Sequence, residues 1–222
     1  MVMTLAVEWK AVTKKMKQDN EWRTLFKEAD WKVEEKHVHH LSGGNAVQRS
    51  EALRMTGALI PCSRGEILIW QQDPDLISNR KNFRSKTIGY VNQEGSLVPE
   101  WSIYQAAAGA DPDANKIEEV NTLLDHFRFT LSERQTAMED LSPAAEWKAS
   151  LVITLLNDPP LILLDDAGFP FPDEEKKEVY DILCEYIRRK EKTLIAASDD
   201  TYWEMKADKL WMIDEQSIIS NQ

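Results

Sequence analysis

The chain has no apolar run near the ~20 residues that cross a bilayer. Its longest, such as Pro159 to Leu164, are strand-sized, so no membrane span of its own is expected. It has no basic stripe, and its formal net charge is −11. Nucleic acid is therefore not expected as the partner. Met1 to Lys10 lacks the basic-then-apolar order of a secretory signal. Cysteine is scarce. Cys62 and Cys184 stand far apart with no partner spacing, and they read as buried, reduced thiols of a cytosolic protein. Internal repeats and low-complexity tracts are missing too. What is there is 222 residues, 42% hydrophobic and 29% charged. That suffices for one domain with a sizeable core and room for a smaller lobe.

Periodicity gives the order of elements. Residues 5–12 alternate loosely and read as a strand; further extended stretches fall within 22–33 and 36–41. Residues 51–59 read as a helix stopped before Pro61. Residues 67–70 and 87–92 read as strands. Ile117, Val120, Leu123, Leu124 and Phe127 fall at helical spacing, as do Trp147, Leu151, Thr154 and Leu155. Strand and helix then alternate through 161–164, 173–189, 193–197, 201–207 and 209–213. The alternation implies an α/β sheet with helices on both faces. Ligands of such sheets sit beyond the carboxyl ends of the strands. The stretches beginning at Ser42, Asp165 and Ser198 follow strands directly and are expected to meet at one edge.

Ser42-Gly43-Gly44-Asn45-Ala46-Val47-Gln48-Arg49-Ser50-Glu51 has the outline of a phosphate-binding loop, G-x-x-x-x-G-K-[ST]. Gly43 and Ser50 keep the spacing, Gln48 stands at the second glycine and Arg49 at the lysine. Further landmarks follow in order, and together they resemble the nucleotide-binding domain of an ABC transporter over nearly the whole chain. Gly43 to Glu51 lines up with that family's G-P-N-G-A-G-K-S-T, and Met16 with its adenine-stacking aromatic. Arg64-Gly65-Glu66-Ile67 resembles S-G-E-I, and Ile88 to Gln93 the strand into the Q-loop. Leu141-Ser142-Pro143-Ala144-Ala145 stands at the signature L-S-G-G-Q. Leu161 to Asp166 resembles Walker B, with Asp166 at the catalytic glutamate. Pro172 stands at the D-loop aspartate and Asp199 at the H-loop histidine.

The resemblance implies an α/β P-loop NTPase (RecA-like) core with an antiparallel β subdomain over residues 1–93 and 157–222, and an inserted α-helical subdomain over about 94–156. It implies that Gly43 to Glu51 and Gln93 face nucleotide, that Ser50 and Asp165 face Mg²⁺, and that Asp166 and Asp199 take the catalytic positions. The residues present alter that chemistry. A phosphate loop aims backbone N–H groups and a helix N-terminus at phosphate oxygens, and glycine lets the backbone come close. Gln48 is expected to put a side chain where phosphate would lie. Arg49 keeps the charge but not the compact shape of lysine. Glu51 is expected to set an anion at a helix start, where the dipole suits it. Together with Asp165, Asp166 and Asp199 it would surround the phosphate with like charge, each pair ~4 Å apart repelling by about 4 kcal/mol at an effective dielectric near 20. Asp166 is one methylene short for orienting water. Pro143 has no N–H to give, Ala144 adds a Cβ, and Asp199 cannot donate as a histidine does. Weak or no binding of ATP and Mg²⁺ is expected, with little or no hydrolysis, and neither is required for folding. Arg49 is expected to pair with Glu51, Asp165 or Asp166, so that charge pairs fill the site.

Three functions are compatible with this reading. One is a degenerate ABC-transporter ATP-binding subunit, cytoplasmic and peripheral at the inner face of the cell membrane. It would act through a membrane permease, an active ABC ATPase partner, or both, as a homo- or heterodimer. Another is a slow but genuine ABC ATPase energising transport. The third is a regulatory or immunity-type interaction protein no longer tied to transport. His37 and His39 share a strand face but have no carboxylate or cysteine at ligand spacing, and read as polar strand positions. Trp101 is either a contact for a permease's cytoplasmic helix or a packing residue.

Overall fold

Every residue of two short strands, β6 (Leu161–Asp165) and β7 (Thr193–Ala197), is buried. Such near-continuous apolar runs belong to a parallel sheet covered on both faces. The computed structural model describes residues 4–18, 20–92, 99–109, 112–165 and 173–221, without the side chain of Asp173. In it the sheet runs β5 (Ile88–Val91), β6, β7, β3 (Val38–Gly43), β8 (Lys209–Asp214), β9 (Ser217–Ser220). All are parallel except β9, which returns antiparallel to β8. A second, antiparallel sheet is formed by β2 (Glu21–Glu34), β1 (Leu5–Gln18) and β4 (Arg64–Ile69), in that order.

A strand turns alternate side chains to opposite faces. Leu161 and Leu163 accordingly join one apolar cluster, with Ala52, Leu53 and Met55 of α1 (Ala46–Thr56) and with Trp9, Phe26 and Trp31 of the antiparallel sheet. Ile162 and Leu164 join the other, with Val179, Leu183 and Ile187 of α7 (Asp173–Arg189) and Trp203 of α8 (Tyr202–Lys206). Between β5 and β6 run α3 (Ile103–Ala108), α4 (Ala114–His126), α5 (Leu131–Gln135) and α6 (Pro143–Leu155). Val120, Leu123 and Leu124 of α4 and Leu151, Val152 and Leu155 of α6 are buried in that second cluster, as their spacing predicts.

The departures have local causes. Helix α1 starts at Ala46 rather than at Glu51, because Asn45 caps it. The Asn45 side chain accepts from the Gln48 N–H, and the Gln48 side chain accepts from the Asn45 N–H. This reciprocal cap forms a first turn that no apolar stripe announces. Strand β1 continues past residue 12 to Gln18 as a polar ribbon paired with β2. Helix α2 (Arg80–Thr87) is absent from the expectation because it buries no residue, and it takes Thr87 out of β5. Cys184 is buried, but Cys62 is half-exposed; both are free thiols.

Candidate functional site

Register brings three strand ends together. Asp165 pairs with Ala197 across β6 and β7, and Ala197 pairs with Leu41 across β7 and β3. The phosphate-loop stretch, Asp165 and the Ser198–Asp199 stretch therefore leave the sheet at one edge, as expected. The loop bends through Gly43 and Gly44, at φ +71° and +57°. A Cβ on Gly43 would lie 2.6 Å from the Ile213 carbonyl oxygen, so only glycine fits this turn.

Arg49 is 3% exposed. Its Nη1 donates to the Gly43 carbonyl at 2.9 Å, and its Nη2 lies 2.5 Å from Asp199 Oδ2. Arg49 meets a carboxylate of the protein, but it is Asp199 and not the expected Glu51 or Asp165; Asp166, the third candidate, lies outside the described residues. Glu51 is the sixth residue of α1, not an anion at its start. It is buried and pairs with Lys14 Nζ at 3.4 Å and Arg54 Nη1 at 2.9 Å. Asp165 accepts from Ser50 Oγ at 2.9 Å on one oxygen and from Tyr90 Oη at 2.8 Å on the other. Among the described residues each of these three carboxylates has its own donor, a cation for Asp199 and Glu51 and two neutral hydroxyls for Asp165; Asp166, the fourth acid of the expected ring, lies outside them.

Gln48 also differs from expectation. Its side chain is turned into the protein, not toward the phosphate position. Nε2 donates to the Leu25 carbonyl at 3.1 Å and to the Glu215 carbonyl at 2.7 Å, while Oε1 accepts from the Asn45 N–H at 3.1 Å. It thereby engages an amide of the loop. The Gln48 N–H donates to Asn45 Oδ1 at 3.0 Å. Ala46 and Val47 form the exposed start of α1. Behind Asp199, His40 Nε2 donates to the Ser198 carbonyl at 3.0 Å, and burial lowers the His40 pKa.

Two participants escaped the sequence reading. Tyr90 pairs with Leu163, two residues before Asp165, so it shares Asp165's face on the neighbouring strand. Burial and then the Asp165 charge push its phenol pKa up. Lys14 reaches Glu51 from the other sheet. Knowing that β5 lies next to β6 would have found Tyr90; nothing in the local sequence marks Lys14.

The signature stretch stands apart. Ser142 caps α6, its Oγ accepting from the Ala145 N–H at 3.2 Å. Pro143 is at the first helical position, where its missing N–H costs the helix nothing. Ser142 and Pro143 are exposed, Leu141 and Ala144 half-buried and Ala145 buried. Gln93, Asp166 and Pro172 lie outside the described residues.

Among the described residues, no group of three or more His, Cys, Asp or Glu could hold a metal. His39 is fully buried. Its Nε2 donates to the Glu34 carbonyl at 2.8 Å and its Nδ1 accepts from Trp211 Nε1 at 3.1 Å. Burial lowers its pKa to about 4. Trp101 is 45% exposed. Its neighbours Glu100 and Ser102 line a cleft of about 430 Å³ with Tyr104, Leu131 and Arg134.

The model of a family described as ABC transporter matches residues 26–168. The lipoprotein-releasing system ATP-binding protein of Syntrophus aciditrophicus is 27% identical over 177 residues, covering 76% of this chain and 78% of that protein. The putative hemin import ATP-binding protein of Staphylococcus saprophyticus is 26% identical over 205 residues, covering 89% and 90%. A dimeric ATP-binding cassette in a post-hydrolysis state bound to ADP and Pi superposes with a TM-score of 0.85 at 17% identity, over 97% of this chain and 99% of that one. That likeness shows the fold, an α/β P-loop NTPase core.

Proposed function

The chain belongs to the ABC transporter family, and from that premise we propose that it is a pseudo-ATPase subunit, acting by association and binding nucleotide weakly or not at all. One observation carries the reading. The Arg49 fork lies between the Gly43 carbonyl and the Asp199 carboxylate, where a phosphate loop would direct its cation to phosphate. A nucleotide would have to part Arg49 from Asp199 and Gln48 from the Asn45 amide. Each contact is worth about 1 kcal/mol. The larger obstacle is the Asp199 carboxylate left beside phosphate, where like charges ~4 Å apart repel by about 4 kcal/mol.

Magnesium follows the nucleotide. Ser50 and Asp165 are hard oxygen donors of the kind Mg²⁺ takes, yet Mg²⁺ is held by one or two carboxylates plus substrate phosphates. Both Asp165 oxygens already accept from hydroxyls. The pair fits the ion only in company with a phosphate that the loop does not welcome.

The two relatives are named as ATP-binding proteins of a releasing system and of a putative import system. By that analogy this chain pairs with a membrane permease at the cytoplasmic face of the membrane. The cleft beside Trp101 is the surface we assign to the contact. Energy for transport would come from an active ABC ATPase partner. A slow ATPase is the second reading, favoured by the Ser50–Asp165 pair and by a buried Arg49 Nε that has no hydrogen-bond partner among the described residues.

Titration with Mg-ATP while following the melting temperature separates the two. A ligand at about 100 times its Kd adds about 2.7 kcal/mol to the folded state, so binding would raise the transition with concentration. No rise is expected. A rise abolished by Asp165→Asn would replace our reading with the slow ATPase.

A further inference from the structure

The ribbon of β1 and β2 outruns its sheet. Strand β4 last pairs with β1 at Thr13, opposite Arg64. Among the described residues, the last hydrogen bond from the segment leading into β4 reaches Lys15, whose N–H donates to Ser63 Oγ, and Met16 still packs against the apolar core. Pairing of β1 with β2 continues through Met16–Arg23 and Lys17–Trp22 to Gln18–Glu21. At ~3.4 Å per residue, the tip stands about 10 Å beyond that support.

Its surface joins an exposed indole to exposed cations. Trp22 is 71% exposed. Lys15, Lys17 and Arg23 around it are exposed as well, in a protein of net charge −11. Lys17 lies directly opposite Trp22, and Lys15 shares the strand face of Lys17. Arg23 turns to the other face. Over 14–24 the sequence carries four cations, Lys14, Lys15, Lys17 and Arg23, against two acids, Asp19 and Glu21. Cross-strand packing explains why Lys17 and Trp22 are paired, but not why the indole is left in water.

We propose that this ribbon tip docks on an anionic membrane surface, with Trp22 in the headgroup layer and Lys15, Lys17 and Arg23 against lipid phosphates. An indole suits a boundary that is apolar on one side and wet on the other. Basic side chains near such a surface are attracted to its negative potential. The Debye length is about 8 Å at physiological salt, so a tip standing ~10 Å out feels the lipid while the acidic body behind it is largely screened. An acidic protein would match the cations but would also need a pocket for the indole. A lipid headgroup layer needs none, and this favours the membrane. The proposal does not depend on the state of the nucleotide site.

Sedimentation of the full chain with phosphatidylcholine vesicles, with and without phosphatidylglycerol, tests it. Binding is expected to the anionic vesicles alone, and to be lost at high salt. Lys17→Gln and Arg23→Gln should each weaken it about five-fold. Trp22→Ala should weaken it at least as much. Lys81→Gln with Lys86→Gln, at exposed sites on α2, should leave it unchanged. Iodide quenching compared between the unsubstituted protein and Trp22→Phe reads that indole directly: vesicles should shield Trp22 and leave Trp101, also exposed, as accessible as before. The proposal is overturned by absence of binding, by equal binding to neutral vesicles, by equal loss in the α2 variant, or by quenching of Trp22 that anionic vesicles leave unchanged.

Discussion

Along β6, Leu161 to Leu164 are wholly buried in apolar clusters; one residue later, Asp165 is held by two hydroxyls from different elements. The two ends of this short strand follow different rules. In the interior, each position needs only to be apolar and of suitable size, whatever the sheet is for. At the edge, each polar group must find a partner, and the partner decides what chemistry remains. In this strand packing sets the interior and pairing sets the edge.

The comparison can be broken most severely from inside. Leu163→Ala should cost about 3 kcal/mol by removing buried methyl groups and leaving a cavity, read as a lower urea midpoint. A loss comparable to that of an edge substitution would erase the distinction.

Next is acid. His39 has a folded-state pKa of about 4, below its ordinary 6.5, so the folded state favours the neutral ring. Its contribution is complete above pH 6.5 and is lost as pH falls toward 4. By linkage this amounts to about 3 kcal/mol. Protonating Nδ1 would also set an N–H against the Trp211 N–H that now donates to it. Denaturation midpoints across that pH range should fall, and His39→Asn should flatten the profile.

Edge substitutions should do less. Gln48→Ala removes two hydrogen bonds to carbonyls and half of a reciprocal cap, which is about 2 kcal/mol. Asp199→Ala should cost no more than about 1 kcal/mol, because its carboxylate is 71% exposed. The sharpest use of the edge is to reverse it. Gln48→Gly, Arg49→Lys and Asp199→His together should create a melting-temperature rise with Mg-ATP that the parent lacks. If the triple variant folds and still ignores nucleotide, the block lies elsewhere than in these three side chains.

The sheet was legible because burial leaves a period in the sequence: Leu161 to Leu164, and the stripes of α4 and α6, can be read without knowing their neighbours. Helix α2 was not, since it buries nothing. The meeting of the loop with Asp165 and Asp199 was legible from the rule for strand ends. The partner of Arg49 was not. Asp199 lies 150 residues away, whereas Glu51 is two positions along. The choice follows from β3 lying beside β7 and from Lys14 arriving from the other sheet to take Glu51. Such pairings depend on strand order, which no local pattern encodes.

Gln48 has a consequence in time. One side chain fastens the start of α1 to the Leu25 carbonyl of β2 and to the Glu215 carbonyl in the turn between β8 and β9. Beside it, the Lys27 N–H donates to the Gln216 carbonyl of the same turn at 3.0 Å. Loop, helix start and strand edge therefore have to let go together. In hydrogen exchange the amides of Asn45, Gln48 and Lys27 should share a single opening free energy, and in Gln48→Ala they should separate into independent clocks.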